Sequence, residues 1–249
     1  MPLRRRPQRE REGAMANPAI VLYQPPMKPW GLVNISPFCA KLQTYLRMAK
    51  LPFEVAEASI TKAPKGKIPY VTIDGEMMGD SGFIIARLEA TIDEPLDAGL
   101  DDKGRAIGHA VARMLDEGFS FANLYFRFGA EEGYGVLLPE FKKALPGPLK
   151  LLTGVIRRNA LKSIRTQGTG RHSHDEISTV AKADLRSVSA LLGDKPYLLG
   201  DKPRTFDASV FAFINTTLGF PYDSEARKYV AGEKNLVAYH DRVQKAFYS

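Results

Sequence analysis

Ser36-Pro37-Phe38-Cys39-Ala40-Lys41 decides how the remainder of this chain is ordered. A Ser oxygen can accept from an orphan amide at a helix start and Pro tolerates the first helical position, so Ser36 is expected as an N-cap. Behind it Leu42, Tyr45, Leu46 and Ala49 recur at helical spacing beside polar Lys41, Gln43, Thr44, Arg47 and Lys50. That pattern predicts an amphipathic helix running to about Lys50. The positive end of this helix faces Ser36 and favours an anion there. Cys39 lies in the first turn, where the same field lowers a thiol pKa. Two readings stand at this point: the mouth of a thiol-chemistry site, or a capped helix that packs a half-buried Cys.

Amino-terminal to that helix, Ala19-Ile20-Val21-Leu22-Tyr23 is a short apolar run closed by Gln24-Pro25-Pro26, a buried strand. On the other side Leu51-Pro52 stops the helix, and Phe53 to Ala58 alternates as a second strand. After the Lys62–Lys67 loop come Ile68-Pro69-Tyr70-Val71-Thr72-Ile73, an Asp74-Gly75 hairpin signal and Glu76-Met77-Met78-Gly79. Asp80-Ser81 then opens another helix with apolar Phe83, Ile84, Ile85 and Leu88. The order β-α-β, β-β-α is the thioredoxin-like arrangement.

The 249 residues, 44% of them hydrophobic, suffice for two small domains. The division expected is a disordered basic tail over 1–18, a thioredoxin-like domain over 19–92, a linker over 93–102 and an all-helical domain over 103–249. Part of the net charge of +7 sits in the tail, where Arg4, Arg5, Arg6, Arg9 and Arg11 face only Glu10 and Glu12. The tail lacks the apolar core of a secretory signal, and its glutamates argue against an acid-poor transit peptide. Every apolar run is broken by charge or Gly before membrane-spanning length, so a soluble protein with no integral membrane segment is expected. Basic residues do not interleave with aromatic stacking platforms, which argues against nucleic acid. One Cys makes no internal disulfide, and no His/Cys pattern fits a metal; a reducing cytoplasm is the expected home.

The strand, the Ser36-Pro37-Phe38-Cys39 helix, Ile68-Pro69 and Asp80-Ser81, in that order, resemble the amino-terminal domain of a glutathione transferase. Trp30-Gly31, Tyr45-Leu46-Arg47-Met48, Ala63-Pro64-Lys65-Gly66-Lys67, Gly170-Arg171-His172-Ser173 and Leu198-Leu199-Gly200-Asp201-Lys202-Pro203 narrow the likeness. They resemble the metaxin-like and failed-axon-connections branch of that superfamily, over about residues 19–215.

The resemblance implies glutathione as co-substrate, a small electrophile as partner, a detoxification role and a homodimer. It implies that Pro69 is a cis-proline presenting the Ile68 backbone to the cysteinyl part of glutathione. Asp80 and Ser81 would hold the γ-glutamyl end, Lys67 and Lys41 would meet the glycine carboxylate, and Ser36 would donate its hydroxyl to the sulfur. A thiol of pKa about 8.5 is only about 3 per cent ionised at pH 7, and lowering that value by two units takes roughly 2.7 kcal/mol. A charge-assisted hydrogen bond and a helix N-terminus together reach that size. Relatives that run disulfide exchange carry Cys where this chain has Ser36, so conjugation is expected over redox chemistry, with Cys39 as the competing nucleophile. The alternatives to a transferase are a non-catalytic interaction protein on the same fold and a Cys39-based thiol redox protein.

Beyond the linker the pattern turns helical. Ile107, Val111, Met114, Leu115 and Phe119 form one face, followed by Phe121, Tyr125, Phe126 and Phe128, which suit either core or an apolar substrate wall. Lys150, Arg157, Arg158, Lys162 and Arg165 make a basic stripe expected to be solvated. Ser173 or Asp175 should cap a helix from Glu176 to Leu192. The last core helix is expected over Ala208–Thr217, with Arg204 displacing the usual capping residue, Thr205 capping in its place and Asp207 as the partner acid.

Overall fold

The computed structural model describes residues 19–145 and 147–249; the expected basic tail over 1–18 lies outside the described residues, as does Pro146. Ile20, Leu22 and Gln24 are buried along β1 (Ile20–Gln24), with half-buried Val21 and Tyr23 alternating between them. β1 pairs in parallel with β2 (Phe53–Glu57) and antiparallel with β3 (Tyr70–Ile73), which carries β4 (Glu76–Gly79) on its far side. The sheet order is β2-β1-β3-β4. Parallel neighbours need a crossover, and α1 (Pro37–Met48) supplies it between β1 and β2. Asp74 and Gly75 adopt φ of 51° and 83°, the two positive angles that an Asp-Gly hairpin turn requires. α2 (Ser81–Glu89) then closes the thioredoxin-like domain.

α1 departs from the amphipathic helix that the sequence suggests. It ends at Met48, with Lys50 at φ 53° just beyond, and every residue from Cys39 to Leu46 is buried. The polar face is covered because each side chain on it has a partner from elsewhere. Gln43 accepts from Gln24 at 2.9 Å, Thr44 meets the Tyr248 hydroxyl at 2.7 Å, and Lys41 pairs with Asp116 at 2.5 Å. Sandwiched between sheet and helices, α1 has almost no solvent side.

The segment after α2 is fastened rather than loose. Glu89 accepts from the Tyr45 hydroxyl and from the amides of Leu96 and Asp97. Asp97 in turn accepts from the amide and hydroxyl of Thr205. The chain continues through α3 (Asp102–Arg113), a π-helical turn (Met114–Phe119), α4 (Ser120–Phe128), α5 (Glu131–Ala144), α6 (Thr153–Gln167) and α7 (His174–Leu192). Ser173 is the cap of α7, closed reciprocally by Glu176 as a capping box.

α8 (Thr205–Gly219) is longer than the expected Ala208–Thr217 and is followed by α9 (Glu225–Gly232) and α10 (Lys234–Tyr248), so it is not the last core helix. Val230, Leu236 and Tyr239 of those two helices are fully buried. Thr205 does not act as the cap of its own helix, because its hydroxyl donates to Asp97. Asp207 reaches back to the Arg204 amide instead, at 2.8 Å. Of the expected basic stripe, Arg157 is committed: it donates to the Phe128 carbonyl and Glu131 and stacks over Tyr134.

Candidate functional site

Ser36 takes the extended conformation of an N-cap, and its Oγ accepts from the Cys39 amide at 3.4 Å. The loop before it is held on several sides. The Ser36 amide donates to Asn34 Oδ1 at 2.9 Å, Asn34 Nδ2 donates to the Pro25 carbonyl, and the Val33 amide donates to Asn215 Oδ1 of α8. Arg127, buried on α4, donates from Nη1 to the Ile35 carbonyl at 2.5 Å and from Nη2 to the Thr216 carbonyl at 3.1 Å. Burial pushes that guanidinium down to about 10, and its plane lies over the Phe220 ring. The helical domain therefore fixes the backbone one residue before Ser36.

A second arm of the site comes from the sheet edge. The Ile68–Pro69 peptide is cis, and Asp80 sits at φ 80°, a costly backbone angle for a residue with a side chain. Asp80 caps α2 by accepting from the Gly82 amide at 3.0 Å and the Phe83 amide at 3.4 Å. The Gly82 and Phe83 amides are thus spent on Asp80, which leaves Ser81 as the polar residue of the α2 start that lines the cavity for a carboxylate.

A cavity of about 970 Å³ lies between the two domains. Lys41, Lys67, Ile68, Pro69, Asp80 and Ser81 all line it. Ser36 and Cys39 are not among its lining residues. Phe38, in the first turn of α1, reaches the cavity instead. Asp116, Phe121, Phe206 and Ser209 close the opposite wall. The aromatic cluster divides: Phe121 faces the cavity, Phe126 and Phe128 belong to the core, and Tyr125 packs on Phe126 and His174.

Asp116 escaped the sequence reading because the π-helical turn displaces it. Val111, Leu115 and Phe119 are buried along the core side of this segment, while Asp116 of the π-helical turn lines the cavity.

Cys39 corrects the expected lowering of its thiol. It is fully buried, and burial pushes the thiol up from 9.0 to about 12, outweighing the hydrogen bond with Ser36 that favours the thiolate. At pH 8 a disulfide-exchange reagent such as dithiobis-nitrobenzoate should therefore label this single Cys at least ~100-fold more slowly in the native protein than in urea-unfolded chain, because the thiolate is the nucleophile. Equal rates would restore Cys39 as a nucleophile. The same shift makes stability fall above pH 9, where the unfolded thiol ionises and the buried one does not.

A family model described as the glutathione S-transferase N-terminal domain matches residues 37–133, and one described as the glutathione S-transferase C-terminal domain matches 181–243. The chain is 29% identical to isoprene-epoxide glutathione S-transferase of Rhodococcus sp. (strain AD45), over 88% of this chain and 95% of that protein. It is 31% identical to Failed axon connections of Drosophila melanogaster over 79% of this chain, and spans about half of that protein's length, 49%. With mouse Metaxin-2 it shares 24% identity over 83% of this chain and 80% of the relative. Among solved structures, the beta-etherase LigF of Sphingobium sp. strain SYK-6 superposes with a TM-score of 0.61 at 19% identity, covering 92% of this chain and 97% of that one. Glutathione transferase F7 of Populus trichocarpa gives 0.58 at 16%, covering 92% and 96%.

Proposed function

Because the chain belongs to the glutathione transferase superfamily, alongside metaxin-like relatives, we propose that its cavity binds glutathione and delivers the thiolate to a small apolar electrophile. The observation that carries this reading is the cavity itself. Ile68-Pro69, Lys67 and Asp80-Ser81 line the same space as Phe121 and Phe206, so a peptide-like co-substrate and an apolar one can meet there. Glutathione would lie along the sheet edge, its γ-glutamyl end on Asp80 and Ser81 and its cysteinyl amide on the Ile68 backbone. Lys67 would meet its glycine carboxylate.

Ser36 would donate to the sulfur. Its oxygen is occupied by the Cys39 amide, while its hydroxyl proton meets no acceptor among the described residues. With the α1 N-terminus, one such bond reaches the roughly 2.7 kcal/mol that a two-unit lowering requires. One relative, matched over 88% of this chain, is named for an isoprene epoxide, and a strained ring that a thiolate can open is the electrophile we favour.

Calorimetric titration with reduced glutathione tests the binding half. The wild type should show saturable heat, and Asp80→Ala should weaken binding by tenfold or more, about 1.4 kcal/mol. Ser36→Ala should retain binding and lose about 100-fold in kcat/KM, the size typical of a removed anion donor. Undiminished turnover in that variant would end the role given to Ser36. One observation favours a non-catalytic interaction protein instead: Ser36 does not line the cavity, and its oxygen already serves as a helix cap. Absence of any heat with the wild type would favour that second reading.

A further inference from the structure

The cavity wall opposite the sheet edge carries more hydrogen-bonding capacity than the fold uses. Lys41 is buried, its side chain only 6% exposed, yet its ammonium has one partner among the described residues, Asp116 Oδ2. An ammonium carries three N–H groups, so two remain unspent. Lys41 lines the cavity. Buried polar groups are nearly always satisfied, and donor capacity left unspent beside a cavity calls for an acceptor supplied from inside it.

Position along α1 sharpens this. Lys41 stands three residues after Phe38, on the face of α1 that meets the cavity, and helical side chains lean toward the amino terminus. A long Lys side chain in that place can approach an electrophile held in the cavity beside Phe38. Asp116 on the π-helical turn anchors it there.

We infer that Lys41 is the proton donor for the oxygen that leaves the attacked carbon, so that the cavity is adapted to epoxides over halides. This inference rests on the transferase reading above. In the step, the glutathione thiolate forms a C–S bond at one ring carbon, and the C–O bond breaks with its electron pair going to oxygen. The alkoxide takes a proton from the Lys41 ammonium, and the resulting amine is reprotonated from water. The thiol proton released earlier to solvent balances the one taken up. An aryl halide needs no such donor, because chloride departs without a proton.

The test compares two electrophiles at saturating glutathione, styrene oxide and 1-chloro-2,4-dinitrobenzene, and reads the ratio of their kcat values. Lys41→Gln keeps a donor toward Asp116 but cannot give up a proton. Lys41→Met combined with Asp116→Asn removes the ion pair together and leaves no buried charge alone. Each should lower the epoxide-to-halide ratio by tenfold or more. Weakened glutathione binding or loosened packing slows both reactions and leaves the ratio in place, so a ratio within twofold of the wild type in both Lys41 variants overturns the inference. Turnover of the halide but not the epoxide by the wild type overturns it as well. Failure of the wild type on both electrophiles marks instead the failure of the transferase reading, and the inference falls with it.

Discussion

Replacing Asp207 by Ala should lower stability by about 3–5 kcal/mol, a fall in melting temperature of roughly 10 °C for a chain of this size. The carboxylate is fully buried and accepts three hydrogen bonds: from the Leu198 amide at 2.9 Å, the Arg204 amide at 2.8 Å and the Tyr239 hydroxyl at 3.0 Å. Alanine leaves those donors buried without an acceptor, at about 1–3 kcal/mol each. An opposing effect exists, since burial pushes the carboxyl up from 3.8 to about 6 and disfavours its ionised form. Removing it relieves that penalty, but the orphaned donors outweigh the relief. The sign with pH follows. The folded state holds its proton more tightly than the unfolded one, so the stability due to Asp207 is fully present below about pH 4 and declines as pH rises toward 6. The gap between wild type and Asp207→Ala should therefore be wider at pH 4 than at pH 7. Superimposable urea melts at pH 7 would remove this residue from the structural account.

Gly133→Ala should cost about as much for a different reason. A Cβ at Gly133 in α5 would stand 1.8 Å from the Phe126 carbonyl oxygen and 3.4 Å from the Tyr222 ring. A side-chain obstacle could rotate away, but a backbone oxygen moves only if α4 and α5 separate. Overpacking of this kind costs typically 1–3 kcal/mol and more where backbone must shift, against a gain of at most about 1 kcal/mol in helix propensity. A loss of about 3 kcal/mol is expected. Gly135 in the same helix provides the contrast, because nothing lies within 4 Å of the added carbon. There Ala should stabilise by about 0.5–1 kcal/mol. If both substitutions move stability the same way, the close approach of α4 and α5 is not what selects Gly133.

What the sequence made legible was local. Ser36 before Pro37, Asp74-Gly75, Asp80-Ser81 and Ser173 with Glu176 each announce a cap or turn through residues no more than three apart, and each is found in place. Lys41 was hidden, because its partner Asp116 lies 75 residues away on a turn that ordinary helical periodicity misplaces. Thr44 was hidden further still, its partner Tyr248 being 204 residues distant. These polar residues on α1 looked solvated only because a helix viewed alone cannot show what covers it. The altered cap at Arg204 was similarly opaque: Asp97 in the segment before α3 takes Thr205, a bond no local motif encodes. Motifs carried the cleft wall built by one short stretch of chain; the wall assembled from distant helices had no such signature.

The enclosure of α1 has a consequence for how such a chain can vary. Its contacts reach Asp116, Phe213 and Tyr248, and the loop that leads into it is gripped by Arg127 and Asn215. Sheet and helical bundle therefore form one unit of inheritance. A recombination that grafted another helical half onto this thioredoxin-like half would strand Lys41, Thr44 and the Ile35 carbonyl without partners, unless the incoming half brought the same five residues to the same places. Gradual substitution along both halves in concert is the route left open to this architecture.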